Sequence, residues 1–186
     1  MKRKKLIEFV KDAHKKQLRK YTNLPYFTHL ENVATLACEY LNNKLIFEIA
    51  LCHDILEDKE ETNINDFLLF KKLVEIGYDG DEATYIVSHV SMLSNQYEKI
   101  KYPHLNRKER TTLEAKRLGK MSYIIQSIKY CDIIDNCKNI YKYDEKFGKI
   151  YLKEKQLFIE YMSDGNEELK RKVIETINKS LILIHI

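Results

Sequence analysis

The sequence has 186 residues, of which 44% are hydrophobic and 32% charged, and 32 basic against 28 acidic side chains leave a formal net charge of +4. That composition suits a water-soluble globular chain with a sizeable core. It excludes a bilayer span, since no apolar run reaches the roughly 18–20 residues needed, and it argues against a nucleic-acid binder, because basic and acidic residues are interleaved rather than segregated.

Five Gly and two Pro point to long helices joined by short loops, an all-α chain read as one domain over 1–186. The basic start, Met1-Lys2-Arg3-Lys4-Lys5, runs into an amphipathic segment with Leu6, Phe9, Val10, Ala13 and Leu18 inward, predicted helical over 3–19. It is too polar for a signal-peptide core, which gives a cytoplasmic expectation. Pro25 breaks the pattern by pushing Leu24 towards extended geometry. A second helix runs from about His29 to Tyr40. A third, about 45–56, is almost wholly apolar and belongs at the centre of the fold. Thr62 or Asn63 caps a short helix to Phe70, and 71–77 forms another, stopped by Gly77. Asp79 or Asp81 opens a helix over 81–94, and 95–106 reads as a loop containing Pro103. Helices follow at about 107–118, 121–142, 146–162 and 166–183.

Four cysteines, Cys38, Cys52, Cys131 and Cys137, form no C-x-x-C pair. They read as small buried hydrophobes rather than a zinc site or disulfide framework. His14 reads as a supporting or surface residue rather than a ligand, His89 as half-buried structure, and His104 and His185 as loop and terminal residues. Tyr141, Tyr143, Tyr151 and Tyr161 read as packing. Arg107, Arg110, Lys116 and Arg117 fit a solvated helix face better than a phosphate pocket.

The informative cluster is His53-Asp54-x-x-Glu57-Asp58. Ionised carboxylates are costly to bury without a cation or hydrogen-bond donors, and a helix C-terminus already carries partial negative charge. Several acids there, after Ala50-Leu51-Cys52, point to a divalent cation. Asp132 lies on a mainly apolar helix with Asn136 four residues on, hence on the same face. His29 opens the second helix. Two imidazoles and two carboxylates make a mixed N/O site suited to Mn²⁺, Fe²⁺, Zn²⁺ or Mg²⁺. Such a cation would lower the pKa of water, and a nearby acid could take the proton.

In this order the motifs resemble those of the HD superfamily, and more closely the Rel/SpoT-type hydrolase domain and the small stand-alone alarmone hydrolases. The resemblance rests on Ala13-His14-x-x-Gln17-x-Arg19-Lys20, Pro25-Tyr26-x-x-His29, Leu51-Cys52-His53-Asp54-x-x-Glu57-Asp58, Leu113–Leu118 and Lys129-x-x-Asp132-x-x-x-Asn136, spanning roughly 10–140. It implies an HD-domain helical bundle that removes the 3′-pyrophosphate of guanosine 3′,5′-polyphosphates, (p)ppGpp, with Mn²⁺. His29, His53, Asp54 and Asp132 would hold the metal. Glu57 and Asp58 would position and deprotonate water in a shared role. Asn136 would touch substrate, Arg19 would pack on the base, and Lys20 is the basic residue after it.

The sequence departs from the family pattern at three places. The turn between Lys20 and Pro25 lacks Gly, although Asn23 tolerates left-handed geometry. Val90-Ser91-Met92 stands where a basic residue is usual, and Ile133 where an Arg often follows the aspartate. Two alternatives therefore stay open: an HD phosphohydrolase for another nucleotide, such as (p)ppApp, NADPH or a nucleoside monophosphate, and a non-catalytic, antitoxin-like binding module. The expected partner is a nucleotide, with neither membrane nor nucleic acid involved and an oligomer compatible with the sequence.

Overall fold

A computed structural model describes residues 1–138 and 140–184, apart from the side chains of Lys59, Glu60 and Tyr141. The expectations for His185 and Tyr141 fall outside what is described. The fold is all-helical, and no strand occurs among the described residues. The chain divides into two compact units, Met1–Ser94 and Asn95–Ile186.

The first unit carries α1 (Lys2–Ala13), α2 (Phe27–Tyr40), α3 (Ile46–Leu51), α4 (Lys59–Thr62), α5 (Asp66–Ile76) and α6 (Gly80–Leu93). The apolar α3 is central, packing on α2, α6 and α1. Its one buried acid, Glu48, is held by Arg3 Nε at 3.1 Å and by the Tyr78 hydroxyl at 3.2 Å, which ties α1 and the start of α6 to the core helix. On α2 the buried stripe is Leu30, Val33, Ala34 and Ala37. Cys38 falls one step off that stripe and is exposed, whereas Cys52, Cys131 and Cys137 are buried as expected.

Three boundaries differ from the sequence reading. First, α1 ends at Ala13, not near 19, and the chain folds back on itself as an isolated bridge between Leu18 and Pro25. Arg19 N–H donates to Leu24 O at 2.8 Å and Tyr26 N–H to Gln17 O at 3.0 Å. Asn23, at φ 55°, makes the left-handed step that a glycine would otherwise supply. Leu18, expected inward, is exposed. Second, 66–76 is one helix, not two. Its cap is Asn65, whose side chain accepts from Leu68 N–H at 2.9 Å, and Gly77 ends it at φ 115°. Thr62 instead donates to Ile55 O at 2.9 Å. Third, α3 stops at Leu51. His53 Nδ1 takes the Ala50 carbonyl at 2.7 Å, the acceptor that a continuing helix would offer to Asp54 N–H, and the backbone tightens into turns through 57.

The second unit carries α7 (Arg107–Leu118), α8 (Tyr123–Cys137), α9 (Ile140–Tyr143), α10 (Glu145–Tyr161) and α11 (Glu167–Ile184). Asn106 opens α7 with a reciprocal capping box to Glu109, as Asp79 does for α6 with Glu82. The most buried helix is α8, which packs on α11, while α10 packs on both α7 and α11. Tyr130 of α8 is fully buried and donates to Met162 O at 2.5 Å. A Cβ at position 165 would collide with its ring, so glycine is required there. No helix among the described residues is long and apolar enough to cross a membrane.

Candidate metal centre

His29 lies in the first turn of α2, and His53 and Asp54 lie on the turn after α3; all three are buried. The His29 and His53 rings meet edge to face at 5.2 Å between centroids. Because the Ala50 carbonyl can only accept, His53 Nδ1 carries the hydrogen, and in the neutral ring Nε2 presents its lone pair. That nitrogen is 3.1 Å from Asp54 Oδ2, and His29 Nε2 is 3.6 Å from the same oxygen. The Tyr26 hydroxyl donates to this oxygen at 2.6 Å. Burial alone would push the Asp54 carboxyl up, but the two imidazoles, when they carry a proton, outweigh it and hold the group well below its ordinary value.

Lone pairs and a carboxylate oxygen at such distances repel unless a proton or a cation sits on them. The donor set, imidazole nitrogens with a carboxylate, is the mixed N/O type of first-row divalent metals. The His29–His53–Asp54 cluster could hold a divalent cation, and the residues present fit one.

Asp58 sits one turn beyond Asp54 and behaves in the opposite way. Burial first, and then the negative charge of Asp54, push its carboxyl up to about 7. Gln17 Nε2 donates to Asp58 Oδ2 at 2.8 Å, and Gln17 Oε1 lies 2.7 Å from His14 Nδ1. His14 is 2% exposed and stacks on Tyr26 at 5.4 Å. Burial lowers its pKa, so the ring is neutral near pH 7, with Nδ1 donating to the amide oxygen. Glu57 is half-buried on the same turn.

The remaining expected residues fall into two groups. Arg19 and Lys20 occupy the hairpin turn rather than a helix end, and the Lys20 ammonium lies 5.0 Å from the Tyr21 ring centroid. In the second unit, Asp132 and Asn136 share a face of α8. Asn136 Nδ2 donates to Asp132 Oδ1 at 2.6 Å, and Lys129 Nζ pairs with Oδ2 at 2.8 Å.

His14, read from sequence as a supporting or surface residue, thus joins Gln17 and Tyr26, to which no role was given, in holding the two acids Asp54 and Asp58. Their signal was present: His14 and Gln17 are three apart in the first motif, and Tyr26 precedes His29 by three.

No family model matches the chain, and no curated protein sequence matches it. Among solved structures, a protein described as a metazoan ortholog of SpoT that hydrolyzes ppGpp and plays a role in starvation responses superposes with a TM-score of 0.76, over 96% of this chain and 94% of that one, at 20% identity. The chain therefore shares the all-helical fold of that protein. At that identity the likeness speaks for the fold, and the chemistry rests on the residues described above.

Proposed function

We propose that the chain is a divalent-metal-dependent phosphohydrolase that removes the 3′-pyrophosphate of guanosine 3′,5′-polyphosphates. The observation that carries this reading is the contrast between two neighbouring carboxyls. Asp54 is held ionised by two imidazoles and a tyrosine hydroxyl, while Asp58, beside it, is raised to about 7. Groups pushed apart in this way divide the work of ligand and base.

In this reading His29, His53, Asp54 and Asp132 hold Mn²⁺ or a similar divalent cation, and the two units act together as one domain over 1–186. When bound, the cation supplies Lewis acidity that makes hydroxide available near neutral pH. The chain's own groups do the rest. The Ala50 carbonyl fixes the His53 tautomer, and Tyr26 orients Asp54. Asp58, its carboxyl steadied by Gln17 and His14, accepts the proton of the attacking water near neutral pH, with Glu57 sharing that role. Arg19 offers a planar guanidinium to stack on the base, and Lys20 and Asn136 contact the substrate. The expected location is the cytoplasm.

The test is incubation of purified protein with Mn²⁺ and ppGpp, followed by pyrophosphate release. The expected result is GDP and pyrophosphate, abolished by EDTA. Activity on 5′-nucleotides without pyrophosphate release from ppGpp would overturn the specificity. A second reading, another phosphorylated nucleotide as substrate, has two observations in its favour. Ile133, where an arginine is usual, is fully buried, and Met92, where a cation is usual, is 44% exposed. A panel including ppApp and NADPH separates the two.

A further inference from the structure

The backbone of Asp58 is pinned on both sides. Its N–H donates to Asp54 O at 2.9 Å, and its carbonyl accepts from Thr62 N–H at 2.9 Å. Rotation of the carboxyl is the freedom that remains, and it decides which oxygen receives a proton. Gln17 restricts it by donating from Nε2 to Oδ2 at 2.8 Å. A donor on one carboxylate oxygen holds negative charge there, so an incoming proton goes to the other, Oδ1.

The Gln17 amide can serve in this way in one orientation only. Turned over, it would bring Oε1 against Asp58 Oδ2, and two acceptors that close need a proton between them. His14 opposes the turn. Its Nδ1 lies 2.7 Å from Gln17 Oε1. With a hydrogen on Nδ1 the amide oxygen is claimed, and the amide nitrogen is left for Asp58. The opposite tautomer would set the Nδ1 lone pair against that oxygen. It would also place a hydrogen on Nε2, which is buried and makes no hydrogen bond among the described residues. The surroundings therefore select Nδ1–H. The backbone holds the pair in register: Gln17 N–H donates to His14 O at 3.0 Å, and Gln17 O accepts from Tyr26 N–H at 3.0 Å. The His14 ring is backed by that of Tyr26 at 5.4 Å between centroids.

We infer that His14 is a positioning residue: its Nδ1–H locks the Gln17 amide, and the locked amide directs the proton of the attacking water to Oδ1 of Asp58. In that step the water O–H bond breaks, its electron pair stays on the oxygen that attacks phosphorus, and the proton bonds to Oδ1. This rests on the reading of Asp58 as the base.

Paired substitutions separate donation from packing. His14→Phe keeps an aromatic ring against Tyr26 and loses the donor, whereas His14→Asn gives up the ring and keeps an N–H donor near the place of Nδ1. With ppGpp and saturating Mn²⁺, His14→Phe should lower kcat by about 10–100-fold, the worth of a hydrogen bond to a charged group. KM and the metal bound per chain should stay close to wild type. Gln17→Leu should match His14→Phe, and His14→Asn should recover part of kcat. In an Asp58→Asn background, both losses should largely vanish. The reverse ranking, with His14→Asn the more damaging, would reduce His14 to packing and overturn the inference. Losses that persist undiminished beside Asp58→Asn would overturn it too. Nitrogen NMR of histidine-labelled, metal-free protein reads the lock without any turnover. His14 should carry its hydrogen on Nδ1, and Gln17→Leu should displace that resonance; a hydrogen on Nε2 overturns the inference even in an active enzyme. If wild type releases no pyrophosphate while the NMR shows the lock, the proposed function has failed and the orientation of Gln17 by His14 stands.

Discussion

Asp54 and Asp132 are both buried carboxylates, yet their surroundings are assembled in opposite ways. Asp132 sits in the middle of a regular helix, and the two partners described for it, Lys129 three residues before and Asn136 four after, come from the same helix. Helical periodicity alone brings them together. Asp54 sits where a helix has stopped, and its partners come from elsewhere in the first unit: Tyr26 and His29 from the start of α2, with His53 turned inward by the Ala50 carbonyl. One carboxylate meets partners that its own helix supplies. The other acquires its partners only when α2 docks on α3. A site built in the second way is sensitive to backbone geometry, and that difference can be measured.

The largest expected effect is at the turn. His53→Ala or Asp54→Asn should abolish metal retention, read by elemental analysis of protein purified without chelator. Metal-dependent pyrophosphate release should fall to background with it, since both residues are proposed ligands of the cation. Asn136→Ala should cost less, about 10–100-fold, the usual loss when a partner of a metal ligand, the role we propose for Asp132, is removed, because Lys129 still holds Asp132. Equal losses at Asp54 and Asn136 would erase the proposed distinction between long-range and local assembly.

Asp58 sharpens the contrast through pH. Its carboxyl is raised from 3.8 to about 7 in the folded chain, so between those values the native state binds more protons than the unfolded one. Stability contributed by this group is therefore fully present below about pH 4 and is lost as pH rises towards 7. In EDTA, urea denaturation should show this fall, and Asp58→Asn should flatten it. Gln17→Ala should also alter the profile, since it removes the donor to Oδ2. The same titrations on Asn136→Ala should retain the wild-type slope.

The sequence is legible where regular periodicity sets the geometry. Asp132 and Asn136 could be placed on one face from spacing alone, and the Asp79 cap of α6 and the loop over 95–106 follow from local chemistry. Where side chains compete with the backbone, spacing misleads. The apolar run through Leu56 reads as an unbroken helix, but His53 takes the Ala50 carbonyl and ends it at Leu51. The pattern up to Leu18 reads as helix, but the bridge to Pro25 claims that segment. His14 could be read as a supporting residue, but what it supports was not legible, because its partner Gln17 reaches Asp58, 41 residues further on. Arg107 is exposed, as its reading on a solvated helix face expects, but its pairing with Glu154 of α10 and the half-burial of Arg110 depend on tertiary packing that spacing does not reveal.

The smallest effect tests the hairpin that positions Arg19 and Tyr26. Asn23 holds φ 55° at its tip, and Arg19 and Tyr26 both donate across it. A side chain that tolerates the left-handed region poorly should strain this turn by about 1 kcal/mol, so Asn23→Ala should lower stability by that amount in urea denaturation. Asn23→Gly, which relaxes the turn but adds freedom to the unfolded chain, should stay within about 0.5 kcal/mol of wild type. Ser122, at the start of α8, makes no capping bond with its side chain, so Ser122→Ala should be nearly silent in the same experiment. If Ser122→Ala and Asn23→Ala cost the same, the first unit's site is no more dependent on special backbone than the helix carrying Asp132. If only Asn23→Ala destabilises, and it lowers metal retention as well, the hairpin is what holds Tyr26 against Asp54.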